Sequence, residues 1–286
     1  MKYTCIDTHT HLNLPAFAAD REEVLARTLA DQVAHINIGT TEKTSAFAVE
    51  IADKNEGSWA IIGLHPIQAA PGSEDEDEDD RGGTPAPTGG ELFNPDFYRT
   101  LAKSPKVVGI GECGYDYYHT PKDSFAVQEE AFVAQIQLAN ELGLPLMIHT
   151  RGPQPGEESP TGRSVYEDVY QTLKQYALVP GNIHFYAGTL AEAEKFFELG
   201  FTVSFTGVIT FAKMYEELVK AIPLTNLHAE TDSPYVSPVP YRGQRCEPRF
   251  VAEVVKKIAE IKQLPLEEVQ EQLLQNAERL YKINLH

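Results

Sequence analysis

The chain has 286 residues, 42% hydrophobic and 23% charged, a length at which a single barrel-type domain can bury a substantial core. Its net charge of −18 argues against passive adhesion to nucleic acid or to an anionic membrane. No apolar run approaches the ~20 residues that span a bilayer, and the N-terminus lacks a signal-peptide pattern, so a cytoplasmic protein with no membrane partner is expected.

Short β-rich apolar runs alternate with segments of helical period, the pattern of parallel strands joined by crossover helices. Tyr3 to Thr8 reads as the first strand, and Asp20 to Asp31 as a helix with Val24, Leu25 and Leu29 on one side. Ala34 to Gly39 is a second strand, Lys43 to Lys54 a helix, and Trp59 to Leu64 a third strand. Residues from about 69 to 92 form an irregular insertion. Within it, Glu74 to Asp80 is an unbroken run of acids, followed by a Gly- and Pro-rich stretch that sustains neither helix nor strand. Self-repulsion should keep that run extended, and it reads first as a plain solvated insertion; the alternative is that it repels bulky polyanions and restricts access to short or single-stranded ends.

Asp96 to Ala102 reads as a helix and Lys106 to Glu112 as the fourth strand. Phe125, Phe132, Ile136 and Ala139 mark a long amphipathic helix, and Leu144 to Thr150 is the fifth strand. A second irregular insertion, 152–162, precedes a helix from Val165 to Gln175. Asn182 to Tyr186, Thr202 to Phe205 and Leu227 to Thr231 are strands six, seven and eight, separated by helices at Ala191 to Leu199 and Met214 to Ala221. Two more helices, Phe250 to Ile261 and Leu266 to Asn276, complete the chain, the latter opened by Pro265. This order predicts an α/β fold, a TIM-type (β/α)8 barrel in a single domain over 1–286. An open doubly wound sheet is the alternative, but it usually has fewer strands and a Gly-rich first turn that this chain lacks. Nothing in the sequence marks an assembly, and a monomer is the simplest expectation. Cys5, Cys113 and Cys246 are too few and too scattered for a disulfide framework and are expected to be free, buried thiols.

In such barrels catalytic groups stand at the C-terminal ends of strands. His9 and His11 follow the first strand, Glu112 ends the fourth, His149 ends the fifth, His184 lies in the sixth, and Asp232 follows the eighth. In His9-Thr10-His11 the histidines are two apart, so they share a strand face and can hold one ion. Any one of these histidines alone reads more readily as a hydrogen-bonded core or surface residue, and Glu112 or Asp232 alone as a buried carboxylate capping a helix. Together they would bury like charges without compensation, a problem that divalent cations solve.

The segments Ile6-Asp7-Thr8-His9-Thr10-His11-Leu12, Gly63-Leu64-His65-Pro66, Gly109-Ile110-Gly111-Glu112-Cys113-Gly114-Tyr115-Asp116, Leu146-Met147-Ile148-His149-Thr150-Arg151 and Glu230-Thr231-Asp232-Ser233-Pro234-Tyr235 carry a resemblance. So do His184-Phe185-Tyr186, Arg242-Gly243 with Glu247-Pro248, and Asn276-Ala277-Glu278-Arg279-Leu280-Tyr281. In this order the chain resembles the TatD-type deoxyribonuclease family, metal-dependent hydrolases of the amidohydrolase-like superfamily. The resemblance implies two divalent metal ions (zinc, manganese or magnesium), His9 and His11 on one and His149 with His184 on the other. Glu112 would bridge them, and Asp232 would lie beside the first and orient or deprotonate the attacking water. The implied activity is exonucleolytic hydrolysis of DNA phosphodiester bonds. Phe185-Tyr186, Cys113-Gly114-Tyr115 and Cys246 depart from the usual family residues without touching a proposed ligand, which bears on the substrate pocket.

Around that site, His65, Arg151 and Arg242 are candidate substrate contacts, and Arg245 reads equally as a phosphate contact or an ion pair. Asp116 reads as a partner that orients a ligand, or as plain structure. Tyr117 and Tyr118 could stack on bases, though half-buried loop aromatics are commoner. Position gives no role to His35, His119, His228 or His286. DNA ends or a small phosphoester are the expected partners. The alternatives are an amidohydrolase-type enzyme for a small ester, amide or phosphate, and a non-catalytic metal-binding protein, whose expected mark would be a missing ligand or base.

Overall fold

The computed structural model describes residues 3–73 and 89–286, so the acidic run Glu74 to Asp80, and the expectation built on it, lie outside the described residues. Among these residues eight strands form one parallel sheet in the order β1 to β8. They are β1 (Cys5–Thr10), β2 (Val33–Ile38), β3 (Ser58–Ile62), β4 (Val107–Asp116), β5 (Leu146–Arg151), β6 (Gly181–Ile183), β7 (Thr202–Phe205) and β8 (Leu227–Ala229). The intervening helices are α1 (Arg21–Ala30), α2 (Glu42–Lys54), α3 (Pro66–Ala69), α4 (Pro95–Leu101), α5 (Phe125–Leu142), α6 (Val165–Tyr176), α7 (Leu190–Glu198) and α8 (Glu216–Ala221). After β8 come α9 (Val251–Lys262) and α10 (Leu266–Tyr281). The expected (β/α)8 barrel is the observed architecture, and β1, β2 and β4 are buried along their whole length, as strands covered on both faces must be. No helix among the described residues is long and apolar enough to cross a membrane. All three cysteines are free and buried.

Three differences from the sequence reading shape the two ends of the barrel. The fourth strand continues past Glu112 to Asp116. Gly111 and Gly114 permit this with φ of 146° and 143°, lying so close to β5 that a Cβ would come within 2.4 and 2.1 Å of the Met147 and His149 carbonyl oxygens. The pairing register with β5 shifts between Ile110 and Cys113, which aims Glu112 and Asp116 into the mouth. Strands six and eight are shorter than their apolar runs suggest. His184 stands just beyond β6, not within it, and the left-handed residues Phe185 (φ 45°) and Asp232 (φ 56°) turn the chain across the opening.

The third difference is at the far end. α10 runs on beyond Asn276 to Tyr281, whereas the polar Asn276-Ala277-Glu278-Arg279 stretch looks like an exit from a helix. Asn276 is instead buried and donates to the Leu224 and Leu227 carbonyls, both at 2.8 Å. The added turn places Leu280, Tyr281 and the later Leu285 in one buried cluster with Ile6, Ile36, Ile61 and Met147, plugging that end of the barrel. The opposite, C-terminal end is left to polar residues.

The barrel closes between β1 and β8 chiefly through side chains and loop backbone. Asp232 N donates to His9 O at 2.9 Å, His11 N to Ser233 O at 2.8 Å, and Thr10 and Ser233 form a parallel bridge. Below them the buried Asp7 carboxylate accepts Thr231 N at 2.8 Å, His9 N at 3.2 Å and the Thr231 hydroxyl. Two residues expected to carry chemistry, His9 and Asp232, are thus fastened to one seam.

Candidate metal centre

At the C-terminal mouth all six expected ligands converge, with the Glu112 carboxylate in the middle. Glu112 Oε2 lies 3.3 Å from His9 Nε2 and 3.9 Å from His11 Nε2. Asp232 Oδ1 faces the same pair, 3.7 and 3.4 Å away. Glu112 Oε1 lies 2.7 Å from His149 Nδ1, 2.9 Å from His184 Nε2 and 3.5 Å from His65 Nε2. One carboxylate therefore divides the imidazoles into two groups, each with its own oxygen. His9, His11 and Glu112 offer ligand atoms close enough to share one ion, and so do His65, Glu112 and His149.

The hydrogen-bond partners behind the rings determine which nitrogen points inward as a lone pair. His11 Nδ1 faces the Ile38 carbonyl at 3.1 Å, so Nδ1 carries the proton and Nε2 is free to ligate. His149 Nε2 donates to Asp116 Oδ2 at 2.9 Å, which leaves Nδ1 as the lone pair facing Glu112. His184 has Nδ1 3.3 Å from Glu230 Oε1 and Nε2 toward Glu112. His9 and His11 also bring their Nε2 atoms within 3.1 Å of each other. In the neutral rings the His149 lone pair thus faces a Glu112 oxygen and the His11 lone pair faces Asp232 at close range. That arrangement needs positive charge between the partners, and the imidazole and carboxylate donor set fits divalent cations.

His65 differs. Its Nδ1 accepts Ile67 N at 3.2 Å as the cap of α3, so the proton of the neutral ring sits on Nε2. His65 therefore faces the centre as a donor.

The electrostatics carry the same demand. Burial works against charge on Glu112, yet the His184, His9 and His65 rings and the hydrogen bond with His149 hold its carboxyl well below the usual range. Burial pulls His149 down, but Asp116 and Glu112 push it up to about 8. His184 is raised well above the ordinary histidine value by Glu112 and Glu230 in spite of burial. His9 is lowered, by burial and then by its neighbour His184, whose ring stacks on it at 3.8 Å. Asp232 is lowered although burial opposes it, with His11 the chief cause, so it stands as a carboxylate.

Asp116 receives four bonds: Tyr118 N and His119 N on Oδ1, both at 2.8 Å, and His149 Nε2 and His119 Nδ1 on Oδ2, both at 2.9 Å. His119, which position gives no role, therefore shares the carboxylate that orients His149. Glu230 also goes unseen in the sequence. It accepts Phe185 N at 2.6 Å and the Ser204 hydroxyl at 2.7 Å, and sits behind His184. Its one sequence signal is a carboxylate two residues before Asp232, directly after an apolar run.

The remaining candidates separate at the rim. The exposed Arg151 lies over the Tyr118 ring at 4.9 Å, and Arg242 over Phe211 at 4.1 Å while donating to Ser237 O at 2.7 Å. Arg245 is engaged elsewhere, bonded twice to Asp20 at 2.8 and 2.6 Å, next to Arg27, which makes two bonds to Glu247. Tyr117 is buried and donates to Asp168 at 2.9 Å, so its ring offers no open face. His35 and His228 are buried in the barrel wall, and His286 pairs with Glu278 at the end of the chain.

A family model described as TatD related DNase matches residues 6–282. An uncharacterized metal-dependent hydrolase of Bacillus subtilis, YabD, is 36% identical over 285 residues, covering 97% of this chain and 99% of that protein. A protein named 3'-5' ssDNA/RNA exonuclease TatD, from Enterobacter lignolyticus, is 28% identical over 266 residues, 88% of this chain and 89% of its own. Among solved structures, YjjV, a TatD homologue from Escherichia coli, superposes with a TM-score of 0.80 at 25% identity, over 99% of this chain and 100% of that one.

Proposed function

We propose that this chain, which belongs to the family of TatD-related DNases and so to the metal-dependent hydrolases, cleaves phosphodiester bonds at the ends of nucleic-acid strands. The observation that carries the reading is the division of imidazoles between the two oxygens of the buried Glu112. His9, His11 and Asp232 with Glu112 Oε2 would hold one divalent ion, and His149 and His184 with Glu112 Oε1 a second. Zinc or manganese suits that mixture, and magnesium remains open. Bound there, the ions supply Lewis acidity, neutralising an anionic phosphodiester and making water a better nucleophile.

The chain's own groups do the rest. Asp232 is the more exposed of the two carboxylates, its side chain 15% open against 4% for Glu112, so it can accept a proton from the attacking water. His65 Nε2–H is placed to donate to an anionic oxygen at the edge of the centre. Arg151 and Arg242 stand at the rim, where phosphate charge would need neutralising. The relative named as an exonuclease supports this substrate class.

A second reading, hydrolysis of a small ester, amide or phosphate, is favoured by the net charge of −18, which repels a long polyanion. The test is to strip the purified protein with a chelator and restore it with zinc, manganese or magnesium. Metal content and hydrolysis of end-labelled DNA and RNA oligonucleotides would then be measured, with Asp232→Asn alongside. The expected result is activity that vanishes and returns with the metal, and that falls about 10²–10⁴-fold in the variant. Activity surviving both treatments overturns the assignment. Metal-loaded protein that leaves both nucleic acids intact but cleaves small esters establishes the second reading.

A further inference from the structure

Among the described residues, Arg27, Arg99, Arg163, Arg245 and Arg249 are neutralised by carboxylates. Arg151 and Arg242 are different: among the described residues neither makes an ion pair, each guanidinium lies over an aromatic ring, and each is exposed, whereas Arg21, which lies over Phe47 without an ion pair, is half-buried and donates to the Leu12 and Leu14 carbonyls. Both are at the C-terminal mouth. Arg151 is two residues beyond His149 on β5, and Tyr118 is two residues beyond Asp116, the partner of His149. Arg242 belongs to the loop after β8, whose Val239 N is tied to Thr210 Oγ1 of the loop after β7 at 2.9 Å. That second loop carries Phe211, 43% exposed, and Met214, 82% exposed. The two pairs thus follow strand ends on either side of β6, Tyr118 after β4 with Arg151 at the end of β5, and Phe211 after β7 with Arg242 after β8.

Resting on the phosphodiesterase reading, we propose that Tyr118 with Arg151 and Phe211 with Arg242 form a two-part nucleobase clamp, each ring stacking a base while its guanidinium meets the adjoining phosphate. Phe211 is exposed and Tyr118 half-buried, and a ring backed by a cation that makes no ion pair suits a ligand that is flat on one side and anionic on the other. A net charge of −18 makes phosphate contacts alone a weak source of affinity, since only a few counterions can be released. Stacking supplies binding that does not depend on charge, and it requires bases that are free of a duplex partner. The clamp therefore selects unpaired ends through their bases, and Tyr118 and Phe211 are specificity-determining residues.

The test compares kcat/KM for hydrolysis of a short oligothymidylate with that of an abasic oligomer of the same length and backbone, on the metal-loaded protein. The parent should favour the base-bearing strand about tenfold or more. Tyr118→Ala and Phe211→Ala should each erase most of that ratio, and Phe211→Trp should restore it. Leu178→Ser, an exposed apolar residue remote from the mouth, should leave it untouched. A parent ratio near one, or a ratio unchanged in both alanine variants, overturns the clamp while leaving hydrolysis intact. If neither oligomer is cut, the phosphodiesterase reading falls, and the clamp with it.

Discussion

Histidines are buried in two regions of this molecule, and the two behave in opposite ways. At the mouth, His149 and His184 face carboxylates on both sides and gain affinity for positive charge. In the barrel wall, His35 and His228 are as deeply buried, but neither ring nitrogen of either has a hydrogen-bond partner. The charge that shifts each of them is cationic. Burial, then Lys106, pulls His35 down to about 4, and burial, then Arg279, pulls His228 down to about 3. The same side chain at the same depth is a cation receptor in one place and a neutral wedge in the other. Burial alone does not decide which, and the carboxylates do.

The largest test of that contrast is Glu112→Ala. It removes the oxygen shared by both groups of imidazoles, so metal content and hydrolysis should fall to background, measured by elemental analysis and oligonucleotide cleavage. A variant that keeps its metal breaks the comparison at its centre. A smaller effect is expected for Glu230→Gln, which preserves shape but removes the charge behind His184. Metal retention against a competing chelator should weaken about 10–100-fold. An unchanged affinity would mean that Glu230 serves only the Phe185 and Ser204 contacts.

The wall should show itself in stability. Both folded-state pKa values lie below the unfolded histidine value of about 6.5, so stability is complete above that pH and is lost as pH falls toward 4 and 3. Each residue should contribute about 2 kcal/mol of loss between pH 7.5 and pH 5. His35→Leu and His228→Leu, compared with the parent by urea unfolding at those two pH values, should each flatten the dependence while leaving metal content unchanged. An equally steep acid loss in both variants would place the acid-sensitive groups elsewhere.

How much of this was legible beforehand follows a physical line. His9, His11, Glu112, His149, His184 and Asp232 stand out because each is a polar residue at the end of an apolar run, and strand ends in a parallel barrel all open on one side. Glu230 was hidden because its partner His184 lies across β7, a distance no local pattern encodes. His119 was hidden because it reaches Asp116 only after the chain doubles back in a turn made by Asp116 itself, which accepts the two following backbone N–H groups. The extension of β4 could not be read from composition. Gly111 and Gly114 look like a strand stop, and only their close approach to β5 shows why they continue it. Arg245 read equally as a phosphate contact or an ion pair until the fold brought Asp20 beside it.

The seam around Asp7 has a consequence for the order of events during synthesis. His9 and His11 emerge among the first residues, but Thr231, Asp232 and Ser233, which fasten them, follow more than two hundred positions later. Until β8 arrives the early ligands have neither their backbone bonds nor Asp232. Nascent chains shorter than this point therefore lack the assembled group of His9, His11, Glu112 and Asp232, and any ion held by that whole group would certify that the two ends of the barrel have met.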